Sequence, residues 1–72
     1  MTIEGVIERC NKSVLMDGTE LYMVWTKGRA FITEDSEVGS NCMANKGMYG
    51  LFTYQKFKDA PNKYYLESWR KL

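Results

Sequence analysis

Seventy-two residues with a formal net charge of +1 leave room for one small domain with a thin core, because a chain of this size buries only roughly 60% of the surface its unfolded form exposes. An apolar fraction of 44% against 26% charged residues is ordinary for a globular protein and does not suggest disorder. The longest apolar run, Leu21-Tyr22-Met23-Val24-Trp25, is far short of the roughly 20 residues of a membrane span, and no basic segment leads into an apolar stretch at the amino terminus. The expected location is therefore cytoplasmic, with no membrane partner.

Residues 3–10 form a β-like run in which Ile3 and Ile7 share one face and Glu4 and Glu8 the other, since strand side chains alternate. Gly5 falls on the Ile3/Ile7 face, where a glycine marks a bulge, a sharp coil or the close approach of another segment. Asn11-Lys12-Ser13 interrupts the run and Val14-Leu15-Met16 resumes it. Asp17-Gly18 then predicts a hairpin with a type I′ turn, leading to a second strand over 19–26. Lys27-Gly28 turns the chain into a third strand over 29–33, completing an antiparallel meander.

Residues 34–46 are the least regular stretch. A short helix fits between Ser36 and Ala44, although Gly39 costs it roughly 1 kcal/mol. A fourth strand over 47–57 is dense in aromatics, residues 58–62 form a loop around Pro61, and a fifth strand covers 63–70, paired with the fourth. The expected fold is all-β: one five-stranded antiparallel barrel spanning 1–72, with a short irregular or helical connector between strands three and four.

This order resembles the oligonucleotide/oligosaccharide-binding barrel, the OB-fold. The likeness lies in a long first strand with a glycine in it (Ile3-Glu4-Gly5-Val6-Ile7), the Asp17-Gly18 hairpin, a connector before the fourth strand and a closing hairpin. It covers nearly the whole chain at the level of architecture, and an SH3-like barrel is the rival arrangement.

The chain contains no histidine, which removes the usual general acid/base near neutral pH and the commonest metal ligand. Two separated cysteines, Cys10 and Cys42, cannot build a four-cysteine zinc site, and neither cysteine nor any serine has a histidine to activate it. No catalytic residue, metal site or cofactor is expected. The two thiols are read as reduced structural residues, with a single disulfide as the alternative.

Binding is the remaining class of function. Residues 1–40 carry four bases against seven acids, whereas residues 41–72 carry six bases against two acids. Seven aromatics follow residue 48, interleaved with Lys56, Lys58, Lys63, Arg70 and Lys71. Rings that stack on bases and cations that follow phosphates are the grip of single-stranded nucleic-acid binders. Alternation places Phe52, Tyr54, Lys56 and Lys58 on one face of the fourth strand, expected to be exposed near the strand end. The OB resemblance implies a groove bordered by strands two and three and by the loop joining the last two strands, containing Trp25, Lys27, Arg29, Phe31, Tyr54, Lys56 and Lys58. Single-stranded DNA or RNA is the expected partner. The alternative is a small protein-binding adapter or inhibitor, for example a viral accessory protein, acting through exposed aromatics or an open edge strand. It is favoured by the near-neutral charge.

Overall fold

A computed structural model describes residues 1–72. The elements run β1 (Thr2–Val6), β2 (Arg9–Val14), β3 (Glu20–Thr26), β4 (Arg29–Thr33), α1 (Ser36–Ala44), β5 (Tyr49–Lys56) and β6 (Tyr64–Lys71). The class is all-β, with six strands where the sequence suggested five. The extra strand arises because the expected first strand changes partner partway. Ile7 still bonds toward the β5 side, donating to the Met48 carbonyl at 3.0 Å and accepting from the Gly47 N–H at 2.9 Å, while the Glu8 N–H turns to the Trp25 carbonyl at 2.8 Å.

All six strands lie in one sheet of order β1-β5-β6-β4-β3-β2. Its two edge strands are consecutive in sequence. In a flat sheet they would stand five strand spacings apart, about 24 Å, whereas the chain from Val6 to Arg9 reaches only about 10 Å. The sheet must therefore curl on itself into a barrel-like form, measuring 34 × 27 × 18 Å. One pairing departs from the expected antiparallel arrangement: β4 and β6 run parallel, with Phe31 opposite Tyr64 and Ile32 opposite Tyr65. The helix and β5 lie between them in sequence and return the chain to the same direction.

The two tight turns exchange the roles read from sequence. At Lys27-Gly28 both residues have positive φ (51° and 74°), which makes this the two-residue type I′ hairpin. The Asp17-Gly18 hairpin has a three-residue loop instead. The Gly18 N–H bonds the Leu15 carbonyl at 2.9 Å, the Leu15 N–H bonds the Thr19 carbonyl at 2.8 Å, and only Gly18 has positive φ. This is a type I turn followed by a glycine bulge. Asp17 braces it by accepting the Thr19 N–H at 2.9 Å, and hydrogen bonding from Thr19 holds its pKa below the ordinary value.

The core is a ring of side chains inside the curl. Ile7, Val24, Phe31, Phe52 and Leu66 are fully buried, joined by Cys42, Tyr54 and Trp69. Phe31 stacks on Phe52 at 5.7 Å between centroids and meets Tyr54 edge-on at 5.0 Å, and Phe52 meets Trp69 edge-on at 6.3 Å. Aromatic pairs in these geometries contribute about 0.5–1.5 kcal/mol beyond their burial. The inward face of β5 is thus Gly50, Phe52 and Tyr54, the reverse of the expected orientation. Lys56 and Lys58 escape only because they lie past the end of the buried stretch.

A bulge explains why β6 shows no apolar face by alternation. Thr53 pairs with Ser68 but Tyr54 pairs with Leu66, so Glu67 is an extra residue. The spacing between the inward residues Leu66 and Trp69 becomes three instead of two. Glu67 turns outward and accepts a hydrogen bond from Gln55 Nε2 at 3.2 Å.

Helix α1 forms despite Gly39. Asp35 caps it, its Oδ1 accepting from the N–H groups of Glu37 (2.9 Å) and Val38 (3.3 Å). Gly39 lies against the ring of Tyr22, where any Cβ would overlap that ring. The roughly 1 kcal/mol lost from helix propensity is offset by the close docking, since covering one large apolar side chain contributes about 1.5–3 kcal/mol.

Candidate functional site: the outer face of β2, β3 and β4

Strand β3 is apolar on both faces. Tyr22, Val24 and Thr26 point into the barrel, and Leu21, Met23 and Trp25 stand half-buried on the outside. Register extends this outer face sideways. Trp25 is flanked by Arg9 of β2 and Ala30 of β4, and Met23 by Asn11 and Ile32, with Tyr65 of β6 beyond Ile32. A groove of about 380 Å³ opens over β3 and β4. Leu21, Met23, Ala30 and Ile32 form its floor, and Asn62, Lys63 and Tyr64 form one wall.

The wall belongs to the loop between β5 and β6. The Phe57 N–H bonds the Lys63 carbonyl at 3.2 Å and the Lys63 N–H bonds the Ala60 carbonyl at 2.9 Å, which closes residues 57–63 into a compact loop. The Phe57 ring lies 6.2 Å from that of Tyr65 and anchors the loop's base. Tyr64 bridges groove and core, its ring 5.4 Å from both Phe31 and Tyr54.

One cation packs on this face and others stand at the loop-bearing end of the barrel beside it. The Arg9 guanidinium lies 4.5 Å above the Trp25 ring, and that of Arg29 lies 5.6 Å from the Tyr64 ring. Lys56 pairs in register with Tyr64, and Lys56 and Arg29 both continue the inward-facing side of their strands at the end bearing the 57–63 loop. Lys27 sits at the exposed tip of its turn, where its backbone N–H donates to Glu8 Oε2 at 2.9 Å. Lys12 is occupied elsewhere. It forms an ion pair with Glu20, and the hydrogen bond to that carboxylate, with its charge, raises the Lys12 pKa.

Of the residues singled out from sequence, Trp25 lies on the outer face, and Lys27, Arg29, Lys56 and Lys58 are exposed around the end bearing the 57–63 loop. Phe31 and Tyr54 are different. Both are buried in the core, 0% and 6% exposed, and a ring enclosed on all sides cannot stack on a base. The residues that line the groove, Leu21, Met23, Ala30, Ile32, Asn62, Lys63 and Tyr64, were not among those assigned to a groove from sequence. The available signal was the run Leu21-Tyr22-Met23-Val24-Trp25: a strand apolar at every position must present an apolar outer face as well as an inner one.

The rest of the surface and interior contributes little chemistry. No three His, Cys, Asp or Glu side chains come together in a way that could hold a metal ion. Cys10 and Cys42 are free thiols. Burial pushes Cys42 up to about 12, and burial also raises Cys10 against the opposing charge of Lys46. No helix is long and apolar enough to cross a membrane. Comparison with protein-family models, with curated proteins and with solved structures finds no match to this chain.

Proposed function

We propose that this chain is a non-enzymatic binding module that takes single-stranded nucleic acid across the outer face of β2, β3 and β4. The observation that carries the reading is the placement of Trp25, with the Arg9 guanidinium 4.5 Å above its ring, on the outer face beside an apolar groove that has Lys63 in its wall. Stacking of one base on an aromatic ring contributes roughly 1–3 kcal/mol, and the surrounding cations would follow the phosphates. The architecture supports the same reading. Counting β1 and β2 as one bent strand leaves five, with a helix before the fourth and a first strand that borders both the second and the fourth. That arrangement fits an OB-like barrel, whose second and third strands and the loop joining its last two strands bind oligonucleotides.

A protein partner is the second reading, favoured by the aliphatic floor of the groove and by the exposed tip Val14-Leu15-Met16. Fluorescence anisotropy of a labelled single-stranded oligomer separates the two. The nucleic-acid reading requires saturable binding that is weakened by Lys27→Glu and Arg29→Glu and by Trp25→Ala. Absence of binding at low salt leaves the protein reading.

A further inference from the structure

The outer face of β1, β5 and β6 shares no residue with the face around Trp25, and its composition follows from the register. Strand side chains alternate, so Thr2, Glu4 and Val6 of β1 point outward together with Tyr49, Leu51 and Thr53 of β5, opposite the buried Gly5, Gly50, Phe52 and Tyr54. The ladders align these residues into rows. Val6 lies beside Tyr49 and Leu72, Glu4 beside Leu51 and Arg70, and Thr2 beside Thr53 and Ser68. Val6, Tyr49 and Leu72 are all exposed, so one row of large hydrophobics runs across three strands in solvent. Leu51 adjoins it, half-buried, with an acid on one side and a base on the other.

This arrangement is complementary to itself. A second copy facing the sheet across a two-fold axis that runs along β5 sets each β1 residue opposite the β6 residue of the same row, and each β5 residue opposite its own counterpart. Val6 then meets Leu72 of the second copy, Tyr49 meets Tyr49, Leu51 meets Leu51, and Thr2 meets Ser68. Glu4 meets Arg70 on both sides of the axis, and no row sets like charges together. The two charged groups are free to pair in this way. Glu4 accepts the Tyr49 hydroxyl on Oε1 at 2.8 Å, which leaves Oε2 open. Arg70 has no carboxylate partner in its own chain, whose ion pair is Lys12 with Glu20. A net charge of +1 adds little repulsion between copies. Sheets packed face to face keep their strands within about 30° of each other, which preserves the opposition over three short rows.

We propose that this face is the contact between two copies of the chain, a symmetric dimer built on the Val6–Tyr49–Leu72 row, Leu51 and two Glu4–Arg70 pairs. Three strands of about five residues measure only about 14 × 17 Å, less than a standard interface, so the dimer is weak and concentration-dependent. The test is sedimentation velocity of the full chain from about 10 µM to about 1 mM. Wild type passes from monomer to dimer across that range. Leu51→Glu stays monomeric. Arg70→Glu sets two carboxylates face to face at both sites and weakens the dimer by more than about tenfold. Adding Glu4→Arg to Arg70→Glu re-forms both pairs with exchanged signs and restores the dimer, which neither misfolding nor unspecific association can do. Near-UV circular dichroism checks that each variant keeps wild-type packing. A wild-type chain that remains monomeric throughout overturns the proposal. A dimer that Arg70→Glu leaves unchanged also overturns it and moves the contact elsewhere, such as the Val14-Leu15-Met16 tip.

Discussion

Gly39 of α1 lies so close to the ring of Tyr22 in β3 that no side chain fits between them. The contact joins the helix to the strand whose other face carries Met23 and Trp25, so the fold and the candidate site share one element. Alanine is ordinarily the better helix residue by about 1 kcal/mol, but overpacking a closed contact costs about 1–3 kcal/mol. Gly39→Ala is therefore expected to destabilise the chain by up to about 2 kcal/mol, seen as a lower urea midpoint with an unchanged slope.

Tyr54 and Trp25 separate core from site. Tyr54→Ala removes a buried ring that packs on Phe31 and Tyr64, and is expected to cost about 3–5 kcal/mol in a denaturation measurement. Tyr54→Phe keeps the ring and is expected to leave the proposed nucleic-acid binding unchanged. Trp25→Ala has the opposite profile, with a smaller loss of stability and a binding loss of roughly 1–3 kcal/mol for one stacked base.

Lys27 adopts positive φ, a conformation that costs a β-carbon residue about 1 kcal/mol and suits asparagine better. Lys27→Asn should raise stability by about 0.5 kcal/mol while weakening nucleic-acid binding through the lost charge. Thermal melting and anisotropy measured on the same preparation check both signs. Strain kept at a cationic turn residue is what a binding role for Lys27 would lead one to expect.

The buried thiol of Cys42 gives stability a slope in alkali. Its folded pKa of about 12 stands above the ordinary value of 9.0, so between these values the native state holds a proton that the unfolded state releases. The contribution is fully present below pH 9 and is lost as pH rises toward 12. Stability measured from pH 8 to pH 11 should fall more steeply for wild type than for Cys42→Ala, the difference isolating this group from the lysines and tyrosines that titrate in the same range. In native protein at pH 8, a thiol reagent should modify Cys10 well before Cys42.

Much of the strand order was legible from residues alone because it rests on local chemistry. Turn glycines at 18 and 28 and apolar runs between them mark β3 and β4, and Pro61 marks the last loop. What escaped was set by tertiary contact. The bulge at Glu67 shifts Trp69 onto the Leu66 face, which no alternation rule anticipates. The inward orientation of Tyr54 depends on Phe31 waiting across the barrel, since β5 carries rings on both faces. Helix α1 looked weak because the reason for Gly39 is a ring seventeen positions earlier. The groove itself needed the fold, because Leu21 and Asn62 meet only when the 57–63 loop leans over β4.

The tip of the β2–β3 hairpin carries the most exposed large hydrophobic residue of the chain. Met16 is 107% exposed, and Val14 and Leu15 are exposed beside it. Because Met16 buries nothing, Met16→Ser should leave stability within about 0.5 kcal/mol of wild type by denaturation. Nucleic-acid affinity should be equally unaffected, since the tip lies outside the groove.

The most direct measurement is a titration of tryptophan fluorescence with unlabelled single-stranded DNA and RNA at several salt concentrations, with Trp25→Phe beside wild type. Trp25 lies on the outer face and Trp69 is buried, so a signal from the proposed site must come from Trp25. Wild type should show saturable quenching that is absent in Trp25→Phe. If Lys27, Arg29, Lys56, Lys58 and Lys63 each meet one phosphate, the logarithm of affinity should fall with the logarithm of salt at a slope near about −3.5. A flat fluorescence signal at low salt, matched by unchanged anisotropy of a labelled strand, would contradict the nucleic-acid reading.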